Sequence, residues 1–171
     1  MAFASFAVGT ETYVFSGLLG SLAGDLGVTI GIAGQLSSAF AFVYAVSSPV
    51  VSGALARRDR KWVLVVALGL LGALNVAAGL MPSFSSLLVT RVLCALAACC
   101  INPVAAAAAA TLVPEDQRGK ALALVLSGLT VSFVLGIPLG SVIGAAFGWR
   151  ATFFFSGGLA WLSALTLWRA L

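Results

Sequence analysis

Long apolar runs alternate with short polar stretches along this chain, and each run has the length of a membrane-spanning helix. A helix that crosses the hydrocarbon core of a bilayer needs ~20 consecutive, mostly apolar residues. The runs, named spans 1 to 6, lie at about residues 3–22, 32–55, 62–81, 87–112, 121–147 and 151–168. We therefore predict an all-α membrane protein in which one domain, residues 1–171, forms six transmembrane helices.

The polar stretches differ in charge, and this difference predicts the topology. The segment Arg57-Arg58-Asp59-Arg60-Lys61 holds four basic residues and one acid, and Pro114–Lys120 is the second charged loop. Loops that face the cytoplasm carry the excess of Lys and Arg. Seven basic residues fall on this side of the predicted bilayer, at positions 57, 58, 60, 61, 118, 120 and 169, against Arg150 on the other. We therefore expect a multi-pass plasma (inner) membrane protein with both termini in the cytoplasm.

Composition narrows the function classes. With 61% hydrophobic and 8% charged residues the chain is far from a soluble domain. The net charge of +4 lies in loops, so it does not indicate nucleic-acid binding. There is no His, and Cys94, Cys99 and Cys100 share one apolar run without a CxxC spacing, so we expect packing cysteines, no metal, no cofactor and no enzyme. The apolar first span has no charged segment before it, so a cleaved signal peptide is not expected.

Four polar side chains inside the spans are candidates for a transport pathway. Glu11 is the only acid embedded in a span, and a carboxyl group there can bind and release protons as access alternates. The alternative is a hydrogen bond between packed helices. Arg91 could bind an anionic substrate group or act on the Glu11 proton, or it could reach the external interface or form a structural pair. Gln35 and Asn102 could contact substrate, with interhelical hydrogen bonding as the alternative.

The first charged loop resembles a signature of the major facilitator superfamily. In that family a Gly-x-Leu segment precedes a basic loop between spans 2 and 3, and here Gly53-Ala54-Leu55-Ala56 precedes the basic segment. Arg57 stands where the family has an Asp, and the second Gly of the signature is absent. The resemblance implies a cytoplasmic gate built from Gly53, Arg57, Arg58, Asp59, Arg60 and Lys61. It leaves Asp59, Glu115 or Asp116 to replace the missing acid.

Further motifs place the chain near one type of transporter. Thr90-Arg91-Val92-Leu93 resembles the family's span-4 arginine motif, and Gly136-Ile137-Pro138-Leu139-Gly140, continuing to Gly144, resembles the span-5 antiporter motif of proton-driven exporters. The segments Gly9-Thr10-Glu11 and Gly148–Phe153 also agree with this type. Together these motifs resemble drug:proton antiporters of the arabinose-efflux-permease type and extend over essentially the whole chain.

The resemblance implies a fold and a function. Family members have about twelve spans in two halves, so the chain would be the N-terminal half, with spans 1–3 and 4–6 as inverted repeats around a midplane site. We expect a secondary transporter for proton-coupled efflux of small organic molecules, working with the missing C-terminal half or a second copy. The alternative is a non-transporting membrane partner or a truncated remnant. The glycine strip, Gly136, Gly140 and Gly144, is predicted to face the missing partner.

Overall fold

The computed structural model describes residues 1–170, and nearly all of them are helical. The elements that form span 1 are α1 (Ala2–Tyr13), a 3-10 turn (Val14–Gly17) and α2 (Leu19–Leu26). The remaining elements are α3 (Ile30–Leu55), α4 (Arg60–Gly79), α5 (Phe84–Ala98), α6 (Ile101–Thr111), a second 3-10 turn (Glu115–Gln117), α7 (Arg118–Val131), a π-helical turn (Ser132–Gly136), α8 (Ile137–Phe147) and α9 (Trp149–Ala170). Spans 2, 3 and 6 are thus α3, α4 and α9, whereas spans 4 and 5 are α5–α6 and α7–α8.

Five helical stretches in the described residues are long and apolar enough to cross a membrane. They are Ile30–Leu55, Arg60–Gly79, Phe84–Thr111, Glu115–Phe147 and Trp149–Arg169. Span 1 is helical as predicted, but its 3-10 turn divides it into two shorter helices. The all-helical membrane architecture is therefore confirmed, with five stretches long enough to cross a membrane and span 1 divided into two shorter helices.

Polar loop residues set where the helices begin. The side chains of Thr29, Asp59 and Ser83 accept hydrogen bonds from backbone N–H groups in the first turns of α3, α4 and α5. These caps satisfy donors that have no partner inside a helix. Gly148, with φ of +85°, makes the sharp connection between α8 and α9 that a residue with a side chain rarely adopts.

Small side chains let the spans pack closely around span 4. The stretch Phe84–Thr111 is the most buried of the five long ones. Cys94, Cys99 and Cys100 are free and buried within it, as expected of packing residues. Within span 4, α5 packs on α3 and α4, and α6 packs on α7, α4 and α1; elsewhere α1 packs on α7, and α4 packs on α9. Span 4 thus forms the centre from which the other spans are positioned.

The prediction that the glycine strip faces a missing partner is wrong. A Cβ atom added at Gly136, Gly140 or Gly144 would collide with Thr10, Val14 or Leu18, respectively. All three glycines are buried, and Pro138, in the first turn of α8, is exposed. The strip therefore packs against span 1 of the same chain, because residues without side chains allow the two backbones to approach. The exposed face of span 5 is the opposite, aliphatic one, which includes Val134 and Val142.

Candidate functional site

Glu11 and Arg91 form an ion pair in the interior of the bundle. Arg91 Nη1 donates a hydrogen bond to Glu11 Oε1, joining α1 to α5. Both residues are 1% exposed. Arg91 therefore does not reach the external interface, and of the alternatives for this residue the structure favours those that involve Glu11.

Two aromatic rings enclose the guanidinium group of Arg91. Its Cζ atom lies 4.2 Å from the ring centroid of Phe15 and 4.4 Å from that of Phe40. Phe15 is in the 3-10 turn of span 1, and Phe40 is on α3. A cation over an aromatic face is stabilised electrostatically, and more so when it is shielded from water. Spans 1 and 2 thus hold the cation that span 4 carries, and two of its three contacts come from span 1.

The ion pair leaves several buried polar atoms free. Glu11 Oε2 and Arg91 Nε and Nη2 have no hydrogen-bond partner within residues 1–170. Asn75 on α4 and Ser156 on α9 face the Glu11 carboxylate, and Asn75 Oδ1 and Ser156 Oγ are also unpartnered there. The Nδ2 group of Asn75 donates to the Leu71 carbonyl at 3.0 Å. The site is therefore a cluster of buried polar side chains from spans 1, 3, 4 and 6.

Sequence reasoning missed Asn75 and Ser156. The sequence held a signal for Asn75, because it is the only Asn or Gln in its apolar span and such residues usually serve a contact or a function. Ser156 carried little signal, since serines occur throughout the spans.

The other two pathway candidates lie apart from the ion pair. Asn102 Nδ2 donates to the hydroxyl oxygen of Tyr44 at 3.3 Å, which links α6 to α3. This is the interhelical hydrogen bond that was the alternative to substrate contact. Gln35 is exposed near the start of α3.

The basic loop is tied to span 4 by a cation rather than by an acid. Arg60 Nη1 donates to the Ala107 carbonyl at 2.8 Å and to Thr111 Oγ1 at 2.7 Å, both near the end of α6. Asp59 caps α4, with its Oδ1 accepting from Lys61 N at 2.9 Å. Glu115 pairs locally with Arg118 at 3.0 Å. Within residues 1–170, no ion pair joins an acid to the basic loop, so the expected replacement for the family's Asp is not seen.

A second polar cluster, which the sequence analysis did not predict, joins the end of span 1 to the start of span 6, at the end of the bundle away from the basic loop. Trp149 Nε1 donates to Asp25 Oδ2 at 2.9 Å, and Arg150 Nη1 lies 3.6 Å from the same oxygen. The Arg150 guanidinium also lies 4.3 Å from the Trp149 ring centroid. The sequence predicts that Arg150 lies on the side opposite the basic loop, but nothing in the spacing of the two segments indicates that they meet.

Comparison with known proteins agrees with this architecture. The family model described as Major Facilitator Superfamily matches residues 1–171. A solved structure, of a bacterial homologue of the human lysosomal transporter Spinster in an inward-facing and unoccupied conformation, superimposes with a TM-score of 0.80 at 21% identity. The superposition covers 99% of this chain and 40% of the chain in the solved structure.

Curated relatives are also transporters or resistance proteins. The chloramphenicol resistance protein of Streptomyces lividans is 46% identical over 155 residues, which is 90% of this chain and 39% of the relative. The MFS-type transporter YbcL of Bacillus subtilis (strain 168) is 37% identical over 167 residues, 98% of this chain and 42% of the relative. The inner membrane transport protein YdhP of Escherichia coli (strain K12) is 29% identical over 171 residues, which is 100% of this chain and 44% of the relative.

The chain thus spans about two fifths of the length of these relatives. The resemblance to the N-terminal half of an efflux-type major facilitator is confirmed. This multi-pass membrane chain belongs to the Major Facilitator Superfamily.

Proposed function

We propose that this chain is one six-span half of a proton-coupled exporter of small organic molecules in the plasma membrane, with both termini in the cytoplasm. The observation that carries the proposal is the buried ion pair between Glu11 and Arg91. Ionisable side chains inside a membrane are costly and usually serve transport pathways or proton relays. Here an acid and a base meet inside the bundle, where one proton changes the charge balance.

The geometry indicates how the pair responds to a proton. Arg91 holds Oε1 of Glu11, so the free Oε2 is the oxygen that a proton can reach without displacing the guanidinium group, and Asn75 and Ser156 face the same carboxylate. Two opposite charges 4 Å apart attract by about 4 kcal/mol at an effective dielectric constant of 20, and protonation of Glu11 removes this attraction. A protonated Glu11 therefore frees Arg91 to move relative to α1, while the contact of Arg91 with the Phe15 ring remains. Since Phe15 lies in the interrupted part of span 1, that movement would shift the 3-10 turn as well.

The comparisons support efflux of small organic molecules. The relative with 46% identity is a chloramphenicol resistance protein, and export is one way in which a membrane transporter confers resistance. We infer that the complete substrate site needs a second six-span half, from a C-terminal domain or a second copy. The packing supports inverted repeats, because span 1 packs on span 5 as span 4 packs on span 2, and span 3 packs on span 6.

The test is proton-driven efflux from vesicles that contain the protein together with its second half. Glu11→Gln should abolish transport driven by a pH gradient while the variant still inserts into the membrane. Glu115→Gln, the same change at an exposed loop acid, should transport normally. Normal gradient-driven efflux by the Glu11 variant would refute the coupling role. Absence of transport by the unchanged protein would favour the non-transporting alternative.

A further inference from the structure

A groove of about 540 Å³ lies between α3 and α4, with the end of α5 as its floor. Its walls include Val51 and Leu55 from α3 and Val66 and Leu70 from α4, and Leu96, Ala97 and Cys100 lie at its base. Arg58, Asp59 and Trp62 lie at one end, where the basic loop meets the helices. The groove is therefore aliphatic along its length and charged at one end.

We propose that this groove binds an anionic phospholipid, with an acyl chain between α3 and α4 and the phosphate group on Arg58. The depth of the groove fits one leaflet. From Trp62 to Leu70 an α-helix rises roughly 12 Å, at about 1.5 Å per residue, and half of a ~30 Å hydrocarbon core is ~15 Å. The volume also falls within the usual range of pockets that bind small molecules, about 300–1,000 Å³.

The charged end of the groove complements a phosphate group. Arg58 is exposed and takes part in no ion pair within residues 1–170. Asp59, the acid beside it, also lines the groove and caps α4 through Oδ1, and the four basic residues of the loop outnumber it. Arginine binds phosphate through charge-assisted hydrogen bonds, and Arg57, Arg60 and Lys61 add positive charge to the same loop.

Two tryptophans mark this end as the level of the membrane interface. Trp62 packs edge-on against Trp168 with ring centroids 5.2 Å apart, and Lys61 Nζ lies 6.0 Å from the Trp168 ring centroid. Tryptophans and basic residues concentrate at the boundary between hydrocarbon and headgroups. A phosphate at Arg58 would therefore lie at headgroup level, with its acyl chain directed along Val66 and Leu70.

The composition of the groove favours a lipid over the second half of the transporter. Contacts between membrane helices use small residues and hydrogen bonds between side chains. The exposed face of α3 includes residues of this kind, Gln35, Ser38 and Gly53, beside the larger Phe42 and Val46. The walls of the groove instead present large aliphatic side chains, and Val66 and Leu70 are 59% and 51% exposed.

The test is native mass spectrometry of the purified protein titrated with phosphatidylglycerol, with phosphatidylcholine of the same chains and inorganic phosphate as comparators. The unchanged protein should retain one phosphatidylglycerol in preference to phosphatidylcholine, and phosphate should not displace it. Arg58→Ala should weaken this binding about tenfold, because it removes the charge-assisted hydrogen bonds to phosphate. Arg57→Ala, which removes the same charge beside the groove without lining it, should weaken binding less than about threefold.

A second variant tests the groove rather than the charge. Ala97→Leu places a larger side chain on the groove floor while Arg58 is unchanged, so it should also reduce phosphatidylglycerol retention. Equal losses for Arg57→Ala and Arg58→Ala would show a diffuse charge effect and overturn the proposal. Unchanged binding in both Arg58→Ala and Ala97→Leu would overturn it too. The readout is lipid retention, so the result is independent of whether the protein transports protons.

Discussion

Glu11 and Arg91 would each be costly to bury as a single charge, but the two charges can be buried together as an ion pair. Moving an isolated charge from water into a protein interior costs several kcal/mol, and the partner charge and two aromatic rings offset this cost here. The offset is incomplete, because one carboxylate oxygen and two guanidinium nitrogens lack partners in the described chain. A pair that is incompletely satisfied is better suited to change state than one that is fully hydrogen-bonded.

Removing Arg91 alone should destabilise the protein strongly. Arg91→Met should lower the free energy of unfolding by about 3–5 kcal/mol, because it leaves a buried carboxylate without its counter-charge. The loss should become smaller as the pH falls, since a protonated Glu11 carries no charge. Reversible unfolding in mixed detergent micelles, followed by circular dichroism, measures both effects.

The double variant Glu11→Gln with Arg91→Met is the control for that measurement. It removes both charges, and the amide of Gln can still contact Asn75 and Ser156, so most of the lost stability should return. If the double variant is as unstable as Arg91→Met, the loss comes from packing against Phe15 and Phe40 rather than from the unpaired charge.

At the scale of the element, span 5 and span 1 pack through the glycine strip. The side chain of Val14 occupies the space where a Cβ atom at position 140 would lie. Val14 is fully buried and β-branched, so it has little freedom to move aside. The same region of span 1 contains the 3-10 turn and the Arg91 contact at Phe15. Close packing here therefore fixes the position of the candidate site.

Gly140→Ala should destabilise the chain itself rather than its association with a partner. We expect a loss of about 1–3 kcal/mol, the usual cost of overpacking a tight core. Gly158→Ala is the matched control, because a Cβ at that glycine meets nothing within 4 Å. Thermal unfolding of the two variants in detergent compares them, and equal melting temperatures would contradict the packing that the structure shows.

Asp25 joins the end of span 1 to the start of span 6 through its hydrogen bond with Trp149. Asp25→Ala should cost about 1–3 kcal/mol, because it removes a hydrogen bond to a charged acceptor and leaves the Trp149 N–H without that partner. Asp116→Ala, in an exposed loop, should have little effect. Trp149 fluorescence can report local loosening, provided the other tryptophans are replaced by Phe. An unchanged emission and stability would mean that the Trp149–Asp25 bond contributes nothing.

Helices and loops were predictable from the sequence, whereas the faces that meet were not. Length and hydropathy are local properties, so spans such as 62–81 follow from the chain alone. In a membrane, both the buried and the lipid-facing sides of a helix are apolar, so the pattern does not tell which side is inside. The glycine strip was assigned to the wrong partner for this reason. Glu11 and Arg91 could be identified as site candidates from the sequence, because intramembrane charges require partners. Their contacts with Asn75, Ser156 and Phe40 depend on tertiary packing, which the sequence pattern does not give.

At the scale of the whole molecule, charge is segregated between the two ends of the bundle. One end carries the basic loop, with Arg60 tied to the end of α6, and the Trp62–Trp168 contact. The other end carries the Asp25, Trp149 and Arg150 cluster, in which the basic residue is balanced by an acid. The two ends thus differ in net charge as well as in the number of basic residues. This difference is the physical basis for a single orientation in the membrane.

Cysteine labelling in cells tests that orientation. The native Cys94, Cys99 and Cys100 are buried and can be replaced by Ala to give a background without thiols. In that background Arg57→Cys should react with a membrane-impermeant maleimide only after the cells are permeabilised, and Ser85→Cys should react in intact cells. Both positions are exposed, so accessibility to the reagent depends on the side of the membrane. Arg57→Cys leaves six basic residues on the proposed cytoplasmic side, enough to maintain the asymmetry against Arg150. Labelling at position 57 in intact cells, with protection at position 85, would show that the chain lies in the opposite orientation.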